Sequence, residues 1–284
     1  MRPIAVAAAA GAIAVAVAAA AQPTEVTLKL RREPGQTLKY RAIVSGAGAV
    51  TMLGEDNAVS IRGRFVRSER TLSEVRPGVW EVLIAVEQPS LVFRAGDERQ
   101  TLAMQSPPMT EVITDRGQVL EMRGGEPESG VVNAPGVGEA VRPLFELMQE
   151  EGLPDRPLKP GDKWVAKARL KLPDGSNMEV AQQFELLGFE EVAGAACAKI
   201  RSVADIPLHR KLPPDPIGMQ VSMEGAQHIE TTSLLAYDEG VLVRQENAIT
   251  LDLKTTTLLD PNAPERTIPG AISLRVSVIL DLER

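Results

Sequence analysis

The residues of this chain that are best suited to chemistry are two histidines and one cysteine. Neither His209 nor His228 has Cys, His or Glu partners at the spacing that a zinc site requires. We therefore interpret both as residues of a solvated strand face. Cys197 is the sole cysteine of the sequence, which excludes an internal disulfide. Because alanines flank it on both sides, we expect a small, buried and unreactive side chain.

No sequence motif indicates a catalytic centre. The chain lacks a Gly-x-Ser-x-Gly nucleophile elbow, and Gly136-Val137-Gly138 lacks the third glycine of a dinucleotide-binding loop. The stretch Asp174 to Asn177 lacks the spaced carboxylates of a calcium loop. We therefore predict a non-enzymatic protein with no catalytic residues, no metal ligands and no cofactor. Only a buried, charged cluster with shifted pKa values in a cleft would indicate an enzyme of unrecognised type.

Composition excludes further classes of function. The formal net charge is −7, and the sequence contains only two Trp, two Tyr and five Phe. Nucleic acids and anionic lipid surfaces require clustered Lys and Arg. Stacking of bases requires more aromatic rings than this chain offers. We expect no nucleic-acid partner.

The first 21 residues have the pattern of a signal peptide. Arg2 supplies the positive charge, residues 4–21 are apolar, and Ala19 and Ala21 provide the small-x-small cleavage pattern. The alternative is a membrane anchor, although 18 Ala-rich residues are barely long enough to span a bilayer. We expect cleavage before Gln22, no membrane span afterwards, and an exported protein of the periplasm or the extracellular space.

A period of two dominates the rest of the sequence. Apolar residues alternate with polar ones in three stretches that begin at Trp80, Trp164 and Ile272. The longest apolar series is Ile272, Leu274, Val276, Val278, Leu280 and Leu282. Because side chains of a strand alternate between its two faces, this pattern predicts antiparallel sheets with one dry face. We expect eleven or twelve strands.

Turn residues and one helical segment complete the predicted elements. Hairpins are predicted at 115–117, 173–177 and 238–240, where Asp and Gly lie between alternating stretches. Helical spacing of apolar residues occurs at Val137 to Glu151, with Pro143 near the first turn. We expect this segment to form the single α-helix.

Three short patterns recur in the same order and suggest two similar halves. For example, Pro34-Gly35 and Pro160-Gly161 each precede an alternating strand. The predicted division is a signal peptide at 1–21, a first β half at 22–134, a helix and connection at 135–157, and a second β half at 158–284. The alternative is that any β meander repeats glycine turns.

The proline-rich stretch Asp205 to Ile217 is predicted to be a loop or a sheet edge. Proline lacks the N–H that a central ladder needs. We interpret the stretch as a plain connection; the alternative is a lid or a partner-binding arm.

Three of these motifs resemble a family of uncharacterised exported bacterial β-rich domains. The motifs are Gly161-Asp162-Lys163-Trp164 at a strand start, the strand Gly194 to Ile200, and the turn at Tyr237 to Val241. That family has no assigned activity, so the resemblance implies no site residues. The predicted architecture is also distantly similar to lipoprotein-carrier open barrels, which hold acyl chains.

We therefore predict a mainly β protein, an antiparallel curved sheet or open barrel made of two similar halves with one α-helix. About eleven one-sided strands present more dry surface than one helix covers, so either the sheet curls around a lumen or two sheets pack together. The expected function is binding of an apolar, acyl-chain ligand or of an envelope protein. Candidates for the ligand site are Met219, Val221 and Met223, since methionine adapts to irregular ligands; the alternative is that these residues only pack in the core. The alternative is a structural or assembly module of the cell envelope with a fully packed interior.

Overall fold

The fold is a single antiparallel β-sheet. The computed structural model describes residues 23–52, 54–102, 107–124, 152–171, 177–211, 220–259 and 266–283. Its twelve strands are β1 (Thr37–Met52), β2 (Glu55–Arg76), β3 (Val79–Ala95), β4 (Glu98–Leu102), β5 (Met109–Thr114), β6 (Val119–Gly124), β7 (Lys163–Lys171), β8 (Asn177–Val192), β9 (Ala195–Lys211), β10 (Gln220–Ala236), β11 (Val241–Leu258) and β12 (Thr267–Leu282).

The strands form two meanders that meet where the first strand pairs with the last. The order across the sheet is β6-β5-β3-β2-β1-β12-β11-β10-β9-β8-β7, and the short β4 pairs only with β3. Every pair is antiparallel; β1 and β12, for instance, pair from Tyr40↔Leu282 to Thr51↔Ala271. In the described residues β6 and β7 are edges that do not pair with each other, so the sheet is not closed into a barrel.

The sheet is strongly curled at one end, where an N-terminal segment (residues 23–36) crosses it. The amide of Leu30 donates to the Asp115 carbonyl at 2.8 Å, and the next amide, Arg31, donates to the Gly240 carbonyl at 2.9 Å. Consecutive residues are about 3.8 Å apart, so the two turns lie within roughly 10 Å of each other. In a flat sheet β5 and β11 would be separated by five strand spacings, about 24 Å. The sheet must therefore curl to bring these turns together.

Arg116, in the turn between β5 and β6, fastens the same end. Its Nη1 donates to the carbonyls of Leu28 at 2.8 Å and Pro154 at 2.9 Å, and its own carbonyl accepts from the Leu153 amide at 2.7 Å. Val26 and Leu158 form an isolated antiparallel bridge beside it. The residues that precede β7 are thus tied to the opposite edge of the sheet.

Glycines on one face allow the central strands to approach closely. A Cβ at Gly48 would collide with the Ser273 carbonyl of β12, and one at Gly63 would lie 2.5 Å from the Ser90 carbonyl oxygen of β3. Glycine inside a strand is typical of bends and of close backbone approach. These positions explain how β1 and β2 accommodate the curvature.

Strand alternation places the core on one face, which we call the inner face. On β12, Ile272, Leu274, Val276, Val278 and Leu280 are buried while the residues between them are mostly exposed. The same face of β1, β2, β3 and β7–β11 joins them in the largest apolar cluster of the protein. The one-sided pattern predicted from the sequence is confirmed.

The predicted hairpins at 115–117 and 238–240 connect β5 to β6 and β10 to β11. Most of the hairpin at 173–177 and the predicted helix, Val137 to Glu151, lie outside the described residues. The division into two similar halves stays a prediction. The part of the chain that the structure describes contains no helix of the length and apolarity needed to cross a lipid bilayer.

The first part of the proline-rich stretch is a strand that is paired on one side. Residues 205–211 continue β9, where Pro207 lies opposite Ala226 of β10. Pairing of β9 with β8 ends at Ala204, so β9 has β10 as its neighbour beyond that point. Proline is tolerated in such a one-sided stretch because no second ladder requires its N–H. Residues 212–217 lie outside the described ranges.

Candidate functional site

The inner face has an apolar part and a charged end. The largest fully buried side chains of its apolar part are Ile206, Ile249, Leu251, Leu274 and Val278. Burial of such residues supplies most of the free energy that holds the sheet in its folded form. Polar residues are inserted among them at a small number of positions.

Two pairs of these polar residues hydrogen-bond across neighbouring strands. Gln182 Nε2 donates to Ser202 Oγ at 2.9 Å, and Thr231 Oγ1 donates to Asn247 Oδ1 at 2.9 Å. Gln227 differs because it is fully buried and neither atom of its side-chain amide has a partner in the described structure. An unpaired buried amide normally costs folding free energy.

The predicted ligand-site residues lie on or beyond β10. Met223 is buried in the inner-face cluster and Val221 packs against that cluster from the same strand face. Met219 lies outside the described residues. Two of the three candidates therefore contact the apolar core, which agrees both with a ligand wall and with ordinary packing.

A buried charge cluster lies at the curled end of the inner face, and the sequence analysis missed it. It consists of Arg32, Arg67, Glu69 and Glu111. Arg67 and Glu69 stand on β2 opposite Tyr40 and Leu38 of β1. The N-terminal segment supplies Arg32 and β5 supplies Glu111. Three chain segments thus converge on one point.

Glu69 is the centre of the cluster. Its Oε2 accepts from Arg32 Nη2 at 2.6 Å, and its Oε1 lies 3.0 Å from Arg67 Nη2. The exposed fractions of the three side chains are only 10% for Arg32, 14% for Arg67 and 9% for Glu69. Charge-assisted hydrogen bonds between buried partners of this kind are strong, and they are costly to break.

The pKa values in this cluster are set by burial and by the opposite charges. Burial disfavours the Glu69 carboxylate, but the charges of Arg67 and Arg32 outweigh it and lower the pKa of Glu69. Burial also disfavours the Arg32 guanidinium, yet Glu69 raises the pKa of Arg32. Burial, followed by the charge of Glu69, raises the pKa of the Tyr40 phenol. All three groups are therefore held in the form that they already have at neutral pH.

The cluster lines a cavity, and some of its guanidinium N–H donors make no hydrogen bond. The cavity has a volume of about 90 Å³, and its wall includes Arg32, Arg67, Glu69, Glu111 and Tyr40. By the measure that assigns roughly 10–15 Å³ to one water, it admits several waters or a small polar group. Nε and Nη1 of Arg32 and Nε of Arg67 have no hydrogen-bond partner within the described part of the protein.

A second depression, of about 250 Å³, lies between β8, β9, β10 and β11. Its charges are already paired: Lys199 Nζ is 3.2 Å from Glu190 Oε2, and Arg244 Nη2 is 2.8 Å from Glu246 Oε1. Paired surface charges offer little to a ligand. We therefore regard the inner-face cavity as the candidate site.

The two histidines lie on exposed strand positions and Cys197 lies in the core, as predicted from the sequence. His228 Nδ1 contacts Asp205 Oδ1 at 2.8 Å and His209 Nδ1 lies 4.0 Å from Glu224 Oε1, with all four side chains largely exposed. No cluster of three metal-binding side chains occurs among the residues that the structure describes. Cys197 is fully buried, as predicted.

Trp164 lies in a smaller apolar cluster near the N-terminal segment. Its ring stacks on Phe184 with centroids 5.2 Å apart, and its Nε1 donates to the Gly152 carbonyl at 2.9 Å. Leu28 and Leu158 pack in the same cluster and are fully buried. This cluster joins the N-terminal segment to β7 and β8.

The sequence did contain a signal for the charge cluster. On β2, Val59, Ile61 and Phe65 face inward, and Arg67 and Glu69 continue the same odd-numbered series. Charged residues that occupy the inward-pointing positions of a strand are usually paired with opposite charges. Their partners Arg32 and Glu111 are distant in the chain, so sequence spacing alone does not associate them.

The chain was compared with protein families, curated proteins and solved structures. No family model and no curated protein matches the chain. A solved structure described as "lipid-protein interactions in lipovitellin" has a TM-score of 0.49 and 10% sequence identity, and the match covers 89% of this chain and 26% of that one. The chain thus spans about a quarter of the length of that protein. The match is too weak to support an argument about function, and the resemblance to uncharacterised exported domains stays a prediction.

Proposed function

We propose that this protein is an exported, non-enzymatic binding protein for an apolar ligand that contains an acyl chain. The observation that carries the proposal is the continuous apolar inner face of a curled sheet that is not closed. Nine of the twelve strands contribute buried residues to the inner-face cluster. A curled, one-sided apolar surface with few polar groups is the usual form of a lipid-binding wall.

Electrostatics supports the non-enzymatic part of the proposal. The buried charge cluster meets the criterion of shifted pKa values in a cleft, which would point to catalysis. The shifts of Glu69, Arg32 and Tyr40, however, move each pKa away from neutrality. A general acid or base requires a pKa near the working pH. The cluster is better suited to fixed hydrogen bonds than to proton transfer.

The nearly complete burial of the inner-face residues favours one alternative function, a structural or assembly module with a packed interior. Residues such as Leu251 and Leu274 are each at most 2% exposed, so they are already covered in this structure. A ligand contacts them only if it displaces the protein groups that now pack on them. A binding protein would allow an apolar compound to displace these groups, whereas a structural module with a packed interior would not.

The test is displacement of a polarity-sensitive dye by acyl compounds from purified protein that has been stripped of lipid. We expect saturable displacement, and a loss of at least severalfold in affinity for Met223→Asn. The matched control is Ser222→Asn, because Ser222 neighbours Met223 and its hydroxyl donates to the exposed Thr256 carbonyl. Failure of the dye to bind, with the protein folded, would favour the packed module.

A further inference from the structure

The unused donors of the buried charge cluster indicate what they would bind. Nε and Nη1 of Arg32 and Nε of Arg67 are buried without a partner, and both side chains line the 90 Å³ cavity. A guanidinium N–H can only donate. A ligand group that pairs with these three nitrogens must therefore be a hydrogen-bond acceptor.

The charge balance of the cluster favours a neutral acceptor over an anion. Among the largely buried side chains of the cavity wall, two arginines face two glutamates, so the formal charges of Arg32, Arg67, Glu69 and Glu111 cancel. Arg31 also lines the cavity, but it is exposed to solvent. A carboxylate placed among them would leave an uncompensated buried negative charge, which is costly. An uncharged carbonyl oxygen accepts the same hydrogen bonds without that cost.

The wall of the cavity shares residues with the apolar inner-face cluster. Tyr40 and Leu280 line the cavity and also belong to the inner-face cluster. Leu38 and Leu242 line it as well and pack against that cluster. A ligand with its carbonyl in the cavity would therefore lay an attached chain against these apolar residues once the groups that cover them are displaced.

We propose that the buried charge cluster binds the carbonyl oxygen of a neutral acyl ester whose chain lies on the inner face. This inference rests on the proposed function and narrows its ligand class from acyl chains in general to uncharged esters. Arg32 and Arg67 donate to the carbonyl, and Glu69 holds the two guanidinium groups in position. Arg32 belongs to the N-terminal segment, so the site is complete only when that segment is docked.

The experiment compares three ligands of equal chain length on the stripped protein at pH 8: a methyl ester, the corresponding alkyl methyl ether and the free fatty acid. We expect the ester to bind about tenfold more tightly than the ether, the scale of one hydrogen bond to a charged donor. The ionised acid should bind more weakly than the ester.

Variants then assign the preference to the cluster. In Arg67→Met the ester-to-ether affinity ratio should fall toward one, and in Arg67→Lys, which keeps the charge without Nε, it should fall in part. Arg64→Met is the matched control, because Arg64 is exposed on the same strand, and it should keep the ratio. Binding of the ether by each variant shows that the variant is folded.

The outcomes separate this inference from the proposed function. Equal affinity for ester and ether in the unmodified protein, or tighter binding of the free acid, would overturn the inference and leave acyl binding in place. If the folded protein binds none of the three ligands, both proposals are wrong.

Discussion

Removing the charge of Glu69 should destabilise the protein more than removing any exposed carboxylate. Glu69→Gln keeps the size of the side chain but leaves two buried guanidinium groups without their shared anion. Glu69 accepts at 2.6 Å from Arg32 and lies 3.0 Å from Arg67, and all three side chains are nearly buried. Breaking a buried ion pair by removing one partner typically costs about 3–5 kcal/mol. We expect a loss in that range at pH 7.

The pH dependence gives an independent check of the same prediction. The pKa of Glu69 is lower in the folded protein than its ordinary value of 4.5. The stabilisation from Glu69 is therefore fully present above the unfolded pKa and is lost as the pH falls through the folded pKa. The difference in stability between the unmodified protein and Glu69→Gln should be largest near neutral pH and should shrink below pH 4.5.

Urea unfolding, followed by tryptophan fluorescence and far-ultraviolet circular dichroism from pH 7 to pH 3, measures both effects. Glu121→Gln is the control, because the Glu121 carboxylate is exposed and pairs with Arg123 on the surface. It should unfold at the same urea concentration as the unmodified protein. A loss below about 1 kcal/mol for Glu69→Gln, or a difference that is constant with pH, would refute the buried ion cluster.

Four further predictions concern the core and the mature N-terminus. Cys197→Ser should cost roughly 1–3 kcal/mol, and rapid reaction of native Cys197 with a thiol reagent would contradict its burial. Trp164→Ala should cost about 3 kcal/mol, whereas Val165→Ala, at a side chain of 63% exposure, should change stability by less than about 0.5 kcal/mol in urea unfolding. Gln227→Leu should stabilise the stripped protein by about 1 kcal/mol, because it removes an unpartnered buried amide; a loss would show that the amide has a partner. Intact-mass measurement of the protein recovered from an expressing bacterium should give a chain that begins at Gln22, and retention of Met1 in a membrane fraction would make the first segment an anchor.

Strand alternation was predictable from the sequence because burial on one face imposes a period of two. The series from Ile272 to Leu280 is one example, and the odd-numbered inner residues of β2 are another. The buried state of Cys197 also followed from its alanine neighbours. These features depend on residues within one strand, so local sequence is sufficient.

Strand order and the candidate site depend on contacts between distant residues. Alternation shows which face of a strand is dry, but it does not show which strand lies beside it. The pairing of β1 with β12 joins the first and the last of the described strands, and nothing in either strand specifies the other. Arg32 and Glu69 meet because the N-terminal segment crosses the curled end. The crossing depends on the turns at Asp115 and Gly240 lying side by side in the folded protein, which the sequence does not indicate.

Native mass spectrometry of the protein, purified without detergent and followed by solvent extraction, tests the proposed function most directly. We expect a fraction of the protein to carry additional mass that organic solvent releases as an acyl compound. Uncharged esters should predominate in the extract if the buried charge cluster selects its ligand as proposed. A folded protein that carries no apolar compound, and that takes up none when acyl esters are added, would contradict the account.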